Sequence, residues 1–179
     1  MTLKKNALFK SCPILSVIVL LPMVLIILTS ASAFSDRDKD KYMKPVSNPV
    51  YKQVCGACHF AYLPEMLPSG SWKLILDNHG KYFGAESGVD GNNRQVILQY
   101  LSANAAEQSR AKRPRKIMKS LRGNLPARIT DIPYIRKKHD EVSPELFRRK
   151  SVGSFSHCDA CHRTAEQGIF DDDNVAVPR

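Results

Sequence analysis

The sequence predicts a mainly α-helical fold in two lobes, each built around one copy of a five-residue motif. Three observations carry that expectation. The motif Cys55-Gly56-Ala57-Cys58-His59 returns, roughly a hundred residues later, as Cys158-Asp159-Ala160-Cys161-His162. Apolar residues recur at helical spacing, as in Val96, Ile97, Tyr100 and Leu101. No stretch shows the long apolar and polar alternation of a large sheet.

Along the chain, Lys4, Lys5 and Lys10 form a positive segment. Ile14 to Leu28 is an almost purely apolar run, and Ala31-Ser32-Ala33 is a small-residue cleavage site. These are the three parts of a secretory signal peptide. The expected organisation is a signal peptide at 1–33, a first lobe at 34–106 and a second at 107–179. Cleavage after Ala33 is the simplest reading and makes the protein periplasmic. Retention as a membrane anchor is the alternative; Pro22 opposes it, as does a run shorter than the roughly 20 residues a span prefers. Cleavage removes three lysines and no acid, so the formal charge falls from +10 to +7.

Asn48 to Phe60 is expected as the helix carrying the first motif. Trp72 to about Tyr82 is expected as a second, with Trp72, Ile75 and His79 sharing one face. Asp90-Gly91-Asn92-Asn93 reads as a turn and helix start leading into Arg94 to Leu101. The boundary near Ala106 follows from charge. No acid occurs from Gln108 to Thr130, whereas Arg110, Lys112, Arg113, Arg115, Lys116, Lys119 and Arg122 all do. Pro126, Pro133 and Pro144 make the second lobe loop-rich.

The motif itself names a chemistry. In C-x-x-C-H, two thiols one helical turn apart add to the vinyl groups of one porphyrin, and the histidine reaches its iron. Two motifs therefore predict two covalently bound haem c groups, attached through Cys55, Cys58, Cys158 and Cys161, with His59 and His162 as proximal ligands. Cys12 leaves with the signal, so every remaining cysteine belongs to a motif. Two disulfides or a structural zinc would explain the cysteines but not the histidine after each pair. Zinc ribbons also bring their pairs within about 20 residues of each other.

What holds the far side of each iron decides between carrying electrons and binding small molecules. His79, His139 and His157 are the remaining histidines. His157 abuts Cys158, and so close a tether makes it hard for its ring to reach across the same porphyrin. Met66 is the competing sulfur ligand; a methionine would raise the reduction potential relative to a second imidazole, but it more often packs in a core.

Beyond the motifs, Ala61-Tyr62-Leu63-Pro64, Leu67-Pro68, Ser71-Trp72, Tyr100-Leu101 and Asn104-Ala105-Ala106 in the first half resemble the bacterial dihaem cytochrome c family. In the second half Arg128-Ile129-Thr130, Pro133-Tyr134, His139, Ser151-Val152-Gly153-Ser154 and Ala165 to Phe170 stand in the family's order. The resemblance implies a periplasmic electron carrier with bis-histidine haems. It implies a first lobe like a class I cytochrome c and a less regular second lobe around the second haem. His139 stands at the family's place for the second distal ligand. The family pattern has its first distal histidine directly before Phe-Gly. Here Tyr82 precedes Phe83-Gly84 and His79 lies three residues earlier, so either residue, or neither, faces the first iron.

The expected function is electron transfer, not enzymatic catalysis. By resemblance the donor is a membrane cytochrome b and the acceptor a soluble c-type haem protein. Association with the membrane surface is a further expectation, and nucleic acid is excluded by export. The basic segment then steers an acidic partner or balances haem propionates. The alternative is a haem enzyme or gas-binding sensor using an open first iron.

Overall fold

The structure is a computed structural model that describes residues 41–57, 59–83, 89 and 91–179. The predicted signal peptide, Cys58 and the Asp90 helix start lie outside the described residues, as does the Phe83 side chain. Residues 40–179 form one compact unit. Among the described residues there are eight α-helices and short 3-10 turns, and the one β feature is an isolated bridge between His162 and Val175. The mainly helical expectation therefore holds. No helix among the described residues is long and apolar enough to cross a membrane.

Helix α1 (Pro49–Cys55) starts where Asn48 Oδ1 accepts the Tyr51 N–H at 2.9 Å, which satisfies a donor that has no partner within the helix. It is shorter than the expected span to Phe60. The chain leaves the helix at Gly56, whose N–H still reaches Lys52 O at 3.0 Å, so His59 lies beyond it.

The second expected helix is two helices. α2 (Ser69–Asp77) ends at Asn78, where φ −129° and ψ 25° leave the helical range, and α3 (His79–Phe83) follows. Trp72 and Ile75 therefore share a face without His79. Trp72 is buried instead and donates its indole N–H to Pro64 O at 2.9 Å. The start of α2 is capped from a distance: the Glu107 carboxylate accepts the Ser69 N–H and hydroxyl.

α4 (Gly91–Ala103) buries Ile97 and Leu101, as the spacing predicts, and packs against α1 and α2. α5 (Lys112–Leu121) is the basic segment. Pro114, Ile117 and Leu121 are buried along one stripe, while Lys112, Arg115, Lys116 and Lys119 are exposed. Pro114 falls in the first turn, where a missing N–H costs little. α6 (Pro133–Lys138) packs on α5, and α7 (Pro144–Arg148) and α8 (Cys158–Cys161) complete the helices.

One hydrophobic cluster runs through both halves: Leu63, Leu67, Ile97, Ile117 and Ile132 are fully buried members of it. Each such side chain contributes about 2 kcal/mol by leaving water. Residues 41–47 strap the halves together. Met43 N–H reaches Gly168 O (3.3 Å), Lys44 N–H reaches Glu65 Oε2 (2.9 Å), Ser47 N–H reaches the Tyr100 hydroxyl (3.0 Å), and the Tyr42 hydroxyl donates to Asp171 (3.0 Å). Gly168 has φ +79°, and a Cβ there would lie 1.9 Å from Met43 O, so the crossing needs glycine on two counts.

Candidate haem sites

The second motif is one turn of helix. In α8, Cys158 and Cys161 close that turn and His162 N–H bonds Cys158 O at 2.8 Å. The C-terminal tail folds back over it, with Ala176 N–H on Cys161 O at 2.8 Å and the bridge at His162.

His139 sits at the end of α6. Its Nδ1 lies 2.8 Å from Ile135 O. A carbonyl only accepts, so Nδ1 carries a proton and Nε2 is the nitrogen left for a ligand, the orientation a metal-ligating imidazole needs. The His139 and His162 rings face each other at 6.0 Å between centroids, crossed at 81°. Two imidazoles sharing one metal ion, each bonded at about 2 Å, hold their centroids roughly 6 Å apart.

The His162 Nδ1 is buried without a hydrogen-bond partner. Unsatisfied buried polar atoms are uncommon. Burial first, then the neighbouring His139 and Arg113, pushes the His162 pKa below its ordinary value, against the pull of Asp172. The ring is thus kept neutral, as a ligand must be.

Aromatic rings wall this pair. Phe155 lies 5.2 Å from His139 and 4.8 Å from Phe147, and Phe170 lies 5.2 Å from His162. Arg113 stacks over Phe170 and donates to its carbonyl at 2.9 Å. Burial pushes the Cys158 thiol up to about 12.

The first motif is arranged differently. His59 is exposed, its Nδ1 is 2.7 Å from Phe60 O and its ring is 5.0 Å from that of Tyr62. A cleft joins His59, Phe60 and Ala61 to Val152, Gly153 and His157. His79 is half-buried at the start of α3. No ring contact joins it to His59 among the described residues. Tyr82 lies on the same short helix, and its carbonyl accepts from Arg128 at 2.8 Å. The structure brings the His139 and His162 rings together. Met66 is buried in the core and borders the His139 and His162 cavity.

Three features carry more structure than the sequence reading gave them. Phe147 and Phe155 come from loop-linked segments with no periodicity, and only their density just before the second motif marks them. His157, read in the sequence only as tethered too close to Cys158, is held in place: its Nδ1 reaches Val152 O at 2.9 Å and its ring lies against Gly153, where a Cβ would come within 2.5 Å. Tyr62 is the third. Its hydroxyl donates to Ser156 O at 2.8 Å, and burial holds the phenol above its usual range, so it stays a donor.

A zinc site would need four side-chain ligands. Among the described residues no group of three or more His, Cys, Asp or Glu is gathered for one. Two facing imidazoles beside a paired thiol instead fit a metal whose four equatorial ligands come from a porphyrin.

The family model for dihaem cytochrome c matches residues 51–170. The chain belongs to the dihaem cytochrome c family. Among solved structures it is similar to a dihaem cytochrome c from Rhodobacter sphaeroides, with 37% identity over 71% of this chain and 99% of that one and a TM-score of 0.62. It is also similar to a dihaem cytochrome c from Shewanella baltica OS155, with 34% identity over 73% and 93% and a TM-score of 0.60. No curated protein sequence matches the chain. As a dihaem cytochrome c it carries two covalently bound haem c groups and is an electron-transfer haem protein.

Proposed function

We propose that this dihaem cytochrome c is a periplasmic carrier, exported by a cleaved signal peptide, with each iron held between two imidazoles. Cys55 and Cys58 attach the first haem and Cys158 and Cys161 the second. His59 and His79 ligate the first iron, and His162 and His139 the second. The lobes are 34–106 and 107–179. The observation that carries the reading is the facing of His139 and His162 at 6.0 Å.

Bound haem supplies a one-electron couple between ferric and ferrous iron. The chain's own residues set its surroundings. The Ile135 carbonyl fixes the His139 tautomer and holds its Nε2 ready. Phe147, Phe155 and Phe170 keep water from the imidazoles, and a dry, hydrogen-bonded ligand set tunes the potential.

Donor and acceptor follow the family expectation: a membrane cytochrome b gives electrons and a soluble c-type haem protein takes them. The basic surface supports an acidic partner docking beside the second haem. Exposed Lys112, Arg115, Lys116 and Lys119 on α5 adjoin exposed Arg136, Lys137 and Lys138 on α6. Lys138 and Arg113 also border the His139 and His162 cavity. Such a field steers encounter at low salt.

The test is the absorption spectrum of the reduced holoprotein, haem counted, with and without carbon monoxide. Two haems per chain and no spectral change are expected. A shift in one haem would mean an open iron, overturning bis-histidine ligation there and favouring the gas-binding or catalytic alternative on the Tyr82 side.

A further inference from the structure

The match to the family model ends at Phe170, and residues 171–179 run on beyond it with the sequence DDDNVAVPR. So polar a segment has little of its own to bury, yet it is tied to the fold at two points. Asp171 accepts the Tyr42 hydroxyl at 3.0 Å and faces Lys41 and Arg113, each at 3.8 Å. Further on, Val175 pairs with His162 in the isolated bridge, and Ala176 N–H bonds Cys161 O at 2.8 Å. The second anchor therefore lies on the second motif itself.

These bonds decide where the side chains go. Val175 is extended, with φ −85° and ψ 128°, and in an extended chain residues two apart project to the same side. Val175 and Val177 both line the cavity that holds His139, His162, Cys158 and Cys161. They are nonetheless 40% and 50% exposed, and with Leu125 they are the large exposed apolar side chains among the described residues. A single exposed valine is ordinary. Two on one side of a backbone-pinned segment, both turned into a cavity walled by facing imidazoles and a thiol pair, are apolar surface aimed at a haem site.

We propose that residues 175–177 are a haem cover, in which Val175 and Val177 pack on the second haem and keep water from it. The backbone bonds of Val175 and Ala176 to the second motif hold them there. The inference rests on Cys158, Cys161, His139 and His162 carrying that haem, as proposed above. Its consequence is electronic. Water stabilises the extra charge of ferric iron, so an apolar cover favours the ferrous form and raises the potential of the second haem.

The experiment is a spectroscopic redox titration of the holoprotein and of a variant carrying Val175→Ser with Val177→Ser, which leaves the backbone bonds in place. The second haem is recognised as the one that His139→Ala alters. Its ferric to ferrous ratio at a fixed ambient potential is expected to rise roughly tenfold in the variant, equal to about 59 mV for one electron, while the first haem stays where it was. Haem content and the low-spin spectra should match the parent. An unchanged second potential, with both haems in place, overturns the proposal. So does an equal shift of both haems, which is the signature of a general loosening of the fold.

Should the variant fail to mature, proton NMR of the reduced parent holoprotein answers the same question. Valine methyls packed on a porphyrin are moved by its ring current out of their ordinary range, and those of Val175 and Val177 are expected there. Methyls at ordinary positions overturn the cover. Carbon monoxide binding by the second haem would count against ligation by His139 and His162 but leave the methyl shifts standing, because the cysteines still hold the porphyrin. The two failures are therefore distinguishable.

Discussion

At the second motif, His139 and His162 face each other across 6.0 Å inside a wall of three phenyl rings, and one ring is pinned by a backbone carbonyl. At the first, His59 is exposed and leans on Tyr62, while His79 opens a separate five-residue helix. The contrast teaches where the information for ligation resides. The second pair is assembled by the fold of the polypeptide. At the first motif, His59 stands beyond the end of α1 and His79 begins α3, so its two histidines come from separate short elements.

The sharpest way to break this contrast is His139→Ala. One of the two haems should become high-spin in the ferrous state and take carbon monoxide, while the other keeps its spectrum. If neither haem changed spin state, His139 would not be a ligand and the second site would lose its claim to being the better-built one.

Phe155→Ala tests the wall. It removes a ring in contact with both His139 and Phe147, and a half-buried phenylalanine of this kind should cost about 2 kcal/mol, somewhat less than a fully buried one. Denaturant unfolding measures the loss. The spectral change should be confined to the second haem, and an equal perturbation of both would show that the sites do not differ in the way described.

The smallest effect belongs to the first site. Asn78 separates α2 from α3 and donates from Nδ2 to Leu74 O at 3.1 Å. Asn78→Ala removes that bond, about 1 kcal/mol, and favours a continuous helix that would rotate His79 relative to Trp72. Near-infrared or magnetic circular dichroism bands of the first haem should shift while those of the second stay fixed. A shift at the second haem instead would reverse the assignment of sites.

How much of this was legible in the sequence differs by region, for physical reasons. The two motifs and α4 are local signals, a short covalent pattern and a helical stripe ending in buried Ile97 and Leu101, and both were read. The break at Asn78 was not, because the apolar spacing from Trp72 through Ile75 to His79 continues unbroken across it and asparagine interrupts a helix only weakly. The early end of α1 was missed for a related reason: C-x-x-C-H reads as one helical turn whether or not the preceding helix continues into it. His139 was identified as a candidate by elimination and by resemblance. Its aromatic surroundings and the bond from Tyr62 to Ser156 depend on contacts between segments far apart in the chain, which no local periodicity encodes.

The strap at residues 41–47 has a consequence for how the molecule loosens. Chain termini are normally where a fold frays first. Here Met43 lies under Gly168, Tyr42 bonds Asp171, and the tail beyond closes on the second motif through Ala176. The beginning and the end of the folded unit are each other's anchor, making the chain a closed circuit. Peeling from either end exposes the other, so the edge that would ordinarily be the weakest part of the protein opens as a single cooperative step.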